Sequence, residues 1–330
     1  MKYLLILVFF LLSTFITLSQ SVRLLSAGTG SSFRGLSVVN DKTIWVSGSN
    51  GTIGKSIDGG QNWNFSKVSG YEKRDFRDIE AFDENNAIIM AIDAPALILK
   101  TNNGGESWHV VFKDERKGMF LDAMEFWNEQ SGIVIGDPID GHFFVARTFD
   151  GGNQWQVIPA DKQPIAETGE ACFASSGTNI RALTKSEAIF ISGGQQSHVF
   201  VRDEKISIPT IQGKESTGAN SIAIKNKKTW MIAGGDFTQK DSTQGNLLFT
   251  KDGGAHWQKS EKPPHGYRSC VEFLGKKKWI TCGLNGIDIS YDNGKTFEAI
   301  SQTGFHVCRK AKKGKAVFFA GGGGKIGVLE

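Results

Sequence analysis

The sequence predicts an all-β chain folded as a seven-bladed β-propeller, with Asp-box turns in most blades and a ring closed by strands from both ends of the chain. Three observations predict it: one eight-residue run written five times, a period near 45 residues, and two incomplete ends that together make one blade.

The run SIDGGQNW (56–63) returns as TNNGGESW (101–108), TFDGGNQW (148–155), TKDGGAHW (250–257) and SYDNGKTF (290–297). Asp-Gly-Gly is turn chemistry, because Gly takes the positive φ and Asp accepts hydrogen bonds from its own turn. The closing aromatic is expected to pack between blades and bury a large apolar area. The box aspartate, or Asn103 in its place, falls at 58, 103, 150, 252 and 292, in steps of 45, 47, 102 and 40. The step of 102 is two repeats of 51, so a degenerate copy lies between, and AIFISGGQQSHVFVRDEKISIP (188–209) supplies its strands without the turn.

Within each repeat a short apolar run, a polar turn, a second run such as TIWVSG (43–48), a Gly-rich turn, an alternating strand and a strand opening on an aromatic read as four strands. Starts of the innermost strands fall at Phe33, Phe76, Phe120, Gly169, Ala219, Tyr267 and Phe305, which makes seven blades. The last repeat stops at GKIGVLE (324–330) after its third strand, and SVRLLSAG (21–28) is a spare strand before the first repeat. Joining them removes the exposed edges.

Residues 1–20 carry a lysine at position 2, an apolar run and a small polar exit, a signal-peptide pattern too short for an anchor. The expected organisation is a signal peptide at 1–20 and a single propeller at 21–330, exported to the periplasm or the outside, with no membrane span after cleavage. No Cys stands near the cleavage region, which argues against a lipoprotein. The 38 basic and 34 acidic residues, net +4, are not a nucleic-acid balance. Four cysteines are too few for a disulfide scaffold and none forms a C-x-x-C motif. Cys270 and Cys282 flank one predicted hairpin turn, where a disulfide and a pair of buried thiols both remain open.

A propeller sorts its residues by face. The box face receives Lys225, Lys227, Lys228, Lys276, Lys277, Lys278, Lys310, Lys312, Lys313 and Lys315, which a solvated, edge-protecting role explains. On the opposite face the inner-strand alignment sets Arg34, Arg77, Glu170, Arg268 and His306 at one level and Asp78 and Asp122 one residue further in. Ionisable groups there cost desolvation unless paired, so an ion-pair ring of Arg34, Arg77, Asp78, Asp122, Glu170 and Arg268 is expected at the channel mouth. Such a ring either plugs the channel or forms a ligand site. The loops GDPIDGH (136–142) and GGDFTQKDSTQGN (234–246) rise on the same face and add Asp137 and His142 as candidate contacts. No run matches an EF-hand, a zinc motif or a phosphate loop, so no metal or cofactor is expected.

With the repeats in view the chain resembles the Asp-box (BNR-like) propellers, and within them the family of the photosystem II stability and assembly factor. FRGLSVV (33–39), DFRDIEAFD (75–83), FLDAMEFW (120–127), GDPIDG (136–141), GEACFASSGT (169–178) and GYRSCV (266–271) are similar to those of a bacterial secreted branch, some of whose members are labelled oxidoreductase. The resemblance implies a non-catalytic propeller that helps a membrane or exported protein assemble, with Arg34, Arg77 and Arg268 on the contact face. It also implies a monomer with a protein or peptide partner in the cell envelope, a glycan being the alternative ligand. The competing class is a sialidase-type hydrolase, which needs three arginines, a Tyr–Glu pair and an acid Asp. Tyr267 near Glu170 is the sole candidate for that pair. No G-x-G-x-x-G follows a strand into a helix, so a redox role has no residues behind it.

Overall fold

A computed structural model describes residues 20–25 and 28–330. The expected signal segment therefore lies outside the described residues, apart from Gln20. The strands form seven antiparallel sheets, arranged as the blades of a propeller. Blade 1 runs outward from Phe33–Val38 through Ile44–Gly48 and Thr52–Ser56 to Asn64–Lys67, and blades 2 and 3 repeat it from Phe76–Ala81 and Leu121–Phe126. Among the described residues the only helical pieces are two three-residue 3₁₀ turns, and no helix is long and apolar enough to cross a membrane.

The seventh blade closes the ring as the ends predict. Val307–Lys310, Val317–Ala320 and Ile326–Leu329 come from the end of the chain, and Val22–Leu25 adds the outer strand, with Val22 opposite Leu329 and Leu25 opposite Ile326. Arg23 pairs with Glu330 at 2.5 Å. Both side chains are half exposed, so the closure rests on the ladder and on packing rather than on that pair.

Blade 4 lacks the repeated turn, and its strands Ala188–Ile191, His198–Val201 and Glu204–Ser207 fall inside the degenerate copy. Its inner strand is Ile180–Ala182 and does not start at Gly169. Glu170–Ala171 pairs instead with Gly193–Gly194, and this short ladder attaches to blade 5 through Gly193 and Gly218. The Ser- and Gly-rich residues 174–178 form a loop that reaches several other blades: Ser175 O accepts from Arg34, Ser176 donates to Ser269 O (2.8 Å) and Gly177 O accepts from Arg309.

Each repeated turn is held by a residue the sequence pattern left unremarked, the Ser or Thr that begins it. In blade 1 the Ser56 hydroxyl donates to Asp58 Oδ1 (2.9 Å) and accepts from Gly60 N (2.9 Å), while Asp58 accepts from Asn62 N (2.9 Å). Thr101, Thr148, Thr250 and Ser290 repeat the arrangement. These backbone donors, with the Asn62 side chain, hold the Asp58 carboxyl down at about 2. Gly60 has φ +84°, a left-handed conformation that favours glycine, and a Cβ there would also crowd the end of the Leu25 side chain at 2.6 Å.

The core lies along the seams between blades. Trp108, which closes the turn of blade 2, meets Trp45 of blade 1 edge-on with centroids 6.4 Å apart, and Phe297 packs with Met231 of the preceding blade. Burying one such Trp contributes at most roughly 4–6 kcal/mol of transfer free energy, at ~25 cal/mol per Å² over ~150–250 Å². The inner strands are tied by side chains that reach the next blade's backbone: Ser37 accepts from Ala81 N (3.0 Å), Asp78 from Met124 N (2.8 Å) and Ser221 from Val271 N (2.9 Å).

Candidate functional site: one mouth of the central channel

The channel opens at both ends, and the two mouths differ in their electrostatics. On the face of the repeated turns a hollow of about 440 Å³ is lined by charged groups, most of them paired with one another. Arg181 sits between Glu272 (3.3 Å) and Glu125 (3.8 Å), and Lys312 meets Glu80 at 2.6 Å. Arg309 donates to Gly177 O (2.7 Å), and against the cost of burial Glu272, Asp78 and Glu125 raise its guanidinium above the ordinary range. The channel does contain an ion-pair network, but at this mouth, with Asp78 as its one member from the expected ring.

The opposite mouth encloses about 430 Å³. Its cationic side is Arg34, from the inner strand of blade 1, and Arg77, from that of blade 2. Arg77 pairs with Asp75 at 2.9 Å. Arg34 donates to Ser175 O (3.2 Å) and has no carboxylate within ion-pair distance among the described residues. Burial, and next the Arg77 charge, push the Arg34 guanidinium down from its ordinary range, with Tyr267 and Asp75 acting in the opposite sense. Arginine stays charged under that pressure. The facing wall is apolar: Phe120, Phe173, Phe237, Tyr267 and Leu284, with Phe237 and Leu284 about 40 % exposed (42 % and 40 %). Tyr267 is oriented by a bond from its hydroxyl to Asn220 Oδ1 (2.7 Å).

Of the expected site residues, Arg34, Arg77, Asp137 and His306 line this mouth. Asp137 accepts from Cys172 N (2.9 Å), and burial raises its carboxyl to about 6. The His306 ring is hydrogen-bonded to Ser32 Oγ through Nε2 (3.2 Å), and burial, then the charges of Arg34, Lys325 and Arg77, bring it down to about 3, so it is a neutral imidazole.

The remaining residues lie elsewhere, and the expected ring does not form. Arg268 is fully buried inside blade 6, where Asp288 receives its Nε and Nη2 (2.8 and 2.5 Å) and Asn285 Oδ1 and Tyr267 O its Nη1 (both 2.8 Å). Strand alternation explains it: Tyr267 and Ser269 face the mouth, so Arg268 between them points away. Glu170 is buried against His198 Nδ1 (2.8 Å), the Ser192 hydroxyl and Lys205 Nζ (3.2 Å), and does not meet Tyr267, so the Tyr–Glu pair of a sialidase-type site is absent at these residues. Asp78 and Asp122 are buried in the channel wall, Asp78 as the tie to blade 3 with its carboxyl raised by burial to about 7. Asp122 is likewise pushed up by burial and by Asp137. His142 stands at a hairpin tip beside Asp140 O (3.1 Å), outside the lining of the mouth. The apolar wall is what sequence reasoning missed. Its available signal was two large apolar residues, Phe237 and Leu284, inside loop sequence where turn residues would suffice.

No family model matches the chain, and no curated protein matches it. Solved structures do. The chain aligns with YCF48 from Cyanidioschyzon merolae at a TM-score of 0.69 and 15% identity, over 94% of this chain and 99% of that one. A structure described as YCF48 bound to D1 peptide gives 0.66 at 15% identity over 94% of each chain. The WD40 propeller domain of Doa1 gives 0.65 at 12% identity, over 95% and 97%. At such identities the likeness is one of fold: this chain has the propeller architecture those proteins share.

Proposed function

We propose that this chain is a non-catalytic binding propeller, an assembly or stability factor that holds an anionic, partly apolar segment of a protein partner in the mouth lined by Arg34 and Arg77. The observation that carries the reading is Arg34, a half-buried guanidinium without a carboxylate, facing a wall of aromatic residues. A peptide carboxylate with an apolar neighbour satisfies both sides at once, since the planar fork of Arg bonds a carboxylate bidentately. The mouth on the other face is largely neutralised by its own pairs, Arg181 with Glu272 and Glu125 and Lys312 with Glu80. A propeller of the same fold was solved as YCF48 bound to D1 peptide, which is consistent with a peptide as the ligand class. The signal-peptide pattern of residues 1–20 supports a partner in the cell envelope, and the reading takes the propeller to act there as a monomer.

The test is fluorescence anisotropy with a library of labelled peptides ending in a free carboxylate or carrying internal Asp and Glu. Arg34→Ala and Arg77→Ala should each weaken the best binder by about 2–5 kcal/mol, the cost of removing one partner from a desolvated charge contact. Neutralising Lys276, Lys277 and Lys278 together should change it little. If the lysine variant lost binding and the arginine variants kept it, the ligand would sit on the other face.

A further inference from the structure

Three of the four cysteines meet in the seam between blades 6 and 7, although 12 and 26 residues of chain separate them in turn. Cys270 opens the inner strand Cys270–Gly275, Cys282 lies directly across from it on Lys278–Gly283, and Cys308 is on the inner strand Val307–Lys310 of the next blade. Each is 0 % exposed, and the three sulfurs lie within 4.8 Å of one another, with Cys270 Sγ and Cys308 Sγ 3.6 Å apart. The surroundings are dry: Val46, Ile280, Ile287 and Phe319 belong to the same apolar cluster.

We propose that Cys270, Cys282 and Cys308 form a three-thiolate site for a soft monovalent cation, Cu(I) being the ion of choice, which staples blade 6 to blade 7. A trigonal ion with metal–sulfur bonds of ~2.3 Å requires sulfurs ~4.0 Å apart, and the observed spacing meets that with sub-ångström movement. Thiolate sulfur selects Cu(I), zinc or iron–sulfur clusters. Among the described residues no His or carboxylate joins the group, so a tetrahedral zinc ion lacks its fourth protein ligand. Three S–H protons leave as three Cu–S bonds form, and no electron is transferred. The resulting net charge of −2 lies near Arg309 and Arg268, each of which also serves carboxylates, Arg309 those of Glu272, Asp78 and Glu125 and Arg268 that of Asp288. The Cys308 amide also donates to Cys270 Sγ at 3.4 Å, as it would to a thiolate. With no exposed sulfur, the ion enters while the seam is open during folding and does not exchange afterwards.

The experiment refolds the reduced, full-length chain under nitrogen with Cu(I) supplied as its acetonitrile complex, then passes it over a column with a Cu(I) chelator. The proposal expects about one copper retained per chain, a near-ultraviolet thiolate-to-copper band, and a higher melting temperature than the metal-free protein. Cys308→Ala and Cys282→Ala should retain less than about a tenth as much, while Cys172→Ala, which removes the thiol outside the cluster, retains it all. Circular dichroism checks that each variant has refolded, and Cys308→Ser serves if the alanine variant does not. Wild-type protein that refolds without holding copper overturns the proposal. So does equal retention by the refolded cluster variants, or a mass lower by two hydrogens showing a disulfide within the cluster.

Discussion

Replacing Arg268 by alanine should damage the fold and spare the binding mouth. Its guanidinium makes five hydrogen bonds, two to Asp288 Oδ2, one to Asn285 and two to the carbonyls of Tyr267 and His265. Asp288 is 2 % exposed and keeps only His265 (2.7 Å) once the arginine has gone. Breaking a buried pair from one side leaves an uncompensated charge and costs about 3–5 kcal/mol. Unfolding entropy of ~2.1 cal/mol/K per residue over about 300 residues gives ~0.6 kcal/mol/K, so the melting temperature should fall by about 5–8 °C. Scanning calorimetry and urea unfolding at pH 7 read this directly. Arg34→Ala, which removes one bond to Ser175 O, should stay within about 1 kcal/mol of wild type. Replacing both members of the buried pair, Arg268→Met with Asp288→Leu, should recover much of the loss. An Arg268→Ala protein that melted with wild type but lost its peptide would refute the assignment and return Arg268 to the binding face.

Two further predictions concern groups the fold has perturbed. His306 titrates at about 3 in the folded chain against 6.5 when free, so between those values the unfolded chain binds a proton that the folded chain refuses, and stability falls as pH drops through that window. The urea midpoint of His306→Asn should therefore fall less between pH 7 and pH 4.5 than that of wild type; Asp137, raised to about 6, acts in the opposite sense but equally in both proteins, and identical slopes would exclude the His306 account. In the repeated turn of blade 3, Thr148 donates to Asp150 and accepts from Gly152 N, both at 2.9 Å. Thr148→Val should cost about 1–3 kcal/mol in urea unfolding, and Asp150→Asn clearly less, since Asn103 already fills that place in blade 2.

Blade number and ring closure were legible in the sequence because each repeat must bury its own seam and so rewrites the same turn, glycine and aromatic. The phase of the inner strands was not. Register shifts between Phe33 and Gly35, Phe76 and Asp78, Leu121 and Ala123, and Ala219 and Ser221 insert an extra residue into strands that look regular in sequence. One such residue exchanges the two faces of a strand, so the side chains of Arg34, Arg77, Asp122 and Asn220 cannot be phased from the pattern alone; Arg268 lies outside any such shift, just before the strand Cys270–Gly275, with Tyr267 and Ser269 turned to the mouth on either side of it. Glu170 failed for another reason: Glu170–Ala171 is a two-residue strand paired with Gly193–Gly194, and the inner strand of blade 4 begins only at Ile180. The cysteine cluster was hidden because its members come from three strands and two blades, with no local spacing to announce it.

The seventh blade also sets a timetable. Val22–Leu25 is made before every other described strand of the ring, and its partner Ile326–Leu329 after all of them. While the blades between them are being made the growing chain is an open arc, with sheet edges able to pair with other chains, and no order of local folding can shorten the wait. The final contact is thus a checkpoint: a chain truncated before Ile326 presents a permanently unpaired edge, by which a quality-control protease or holdase can tell an unfinished ring from a closed one.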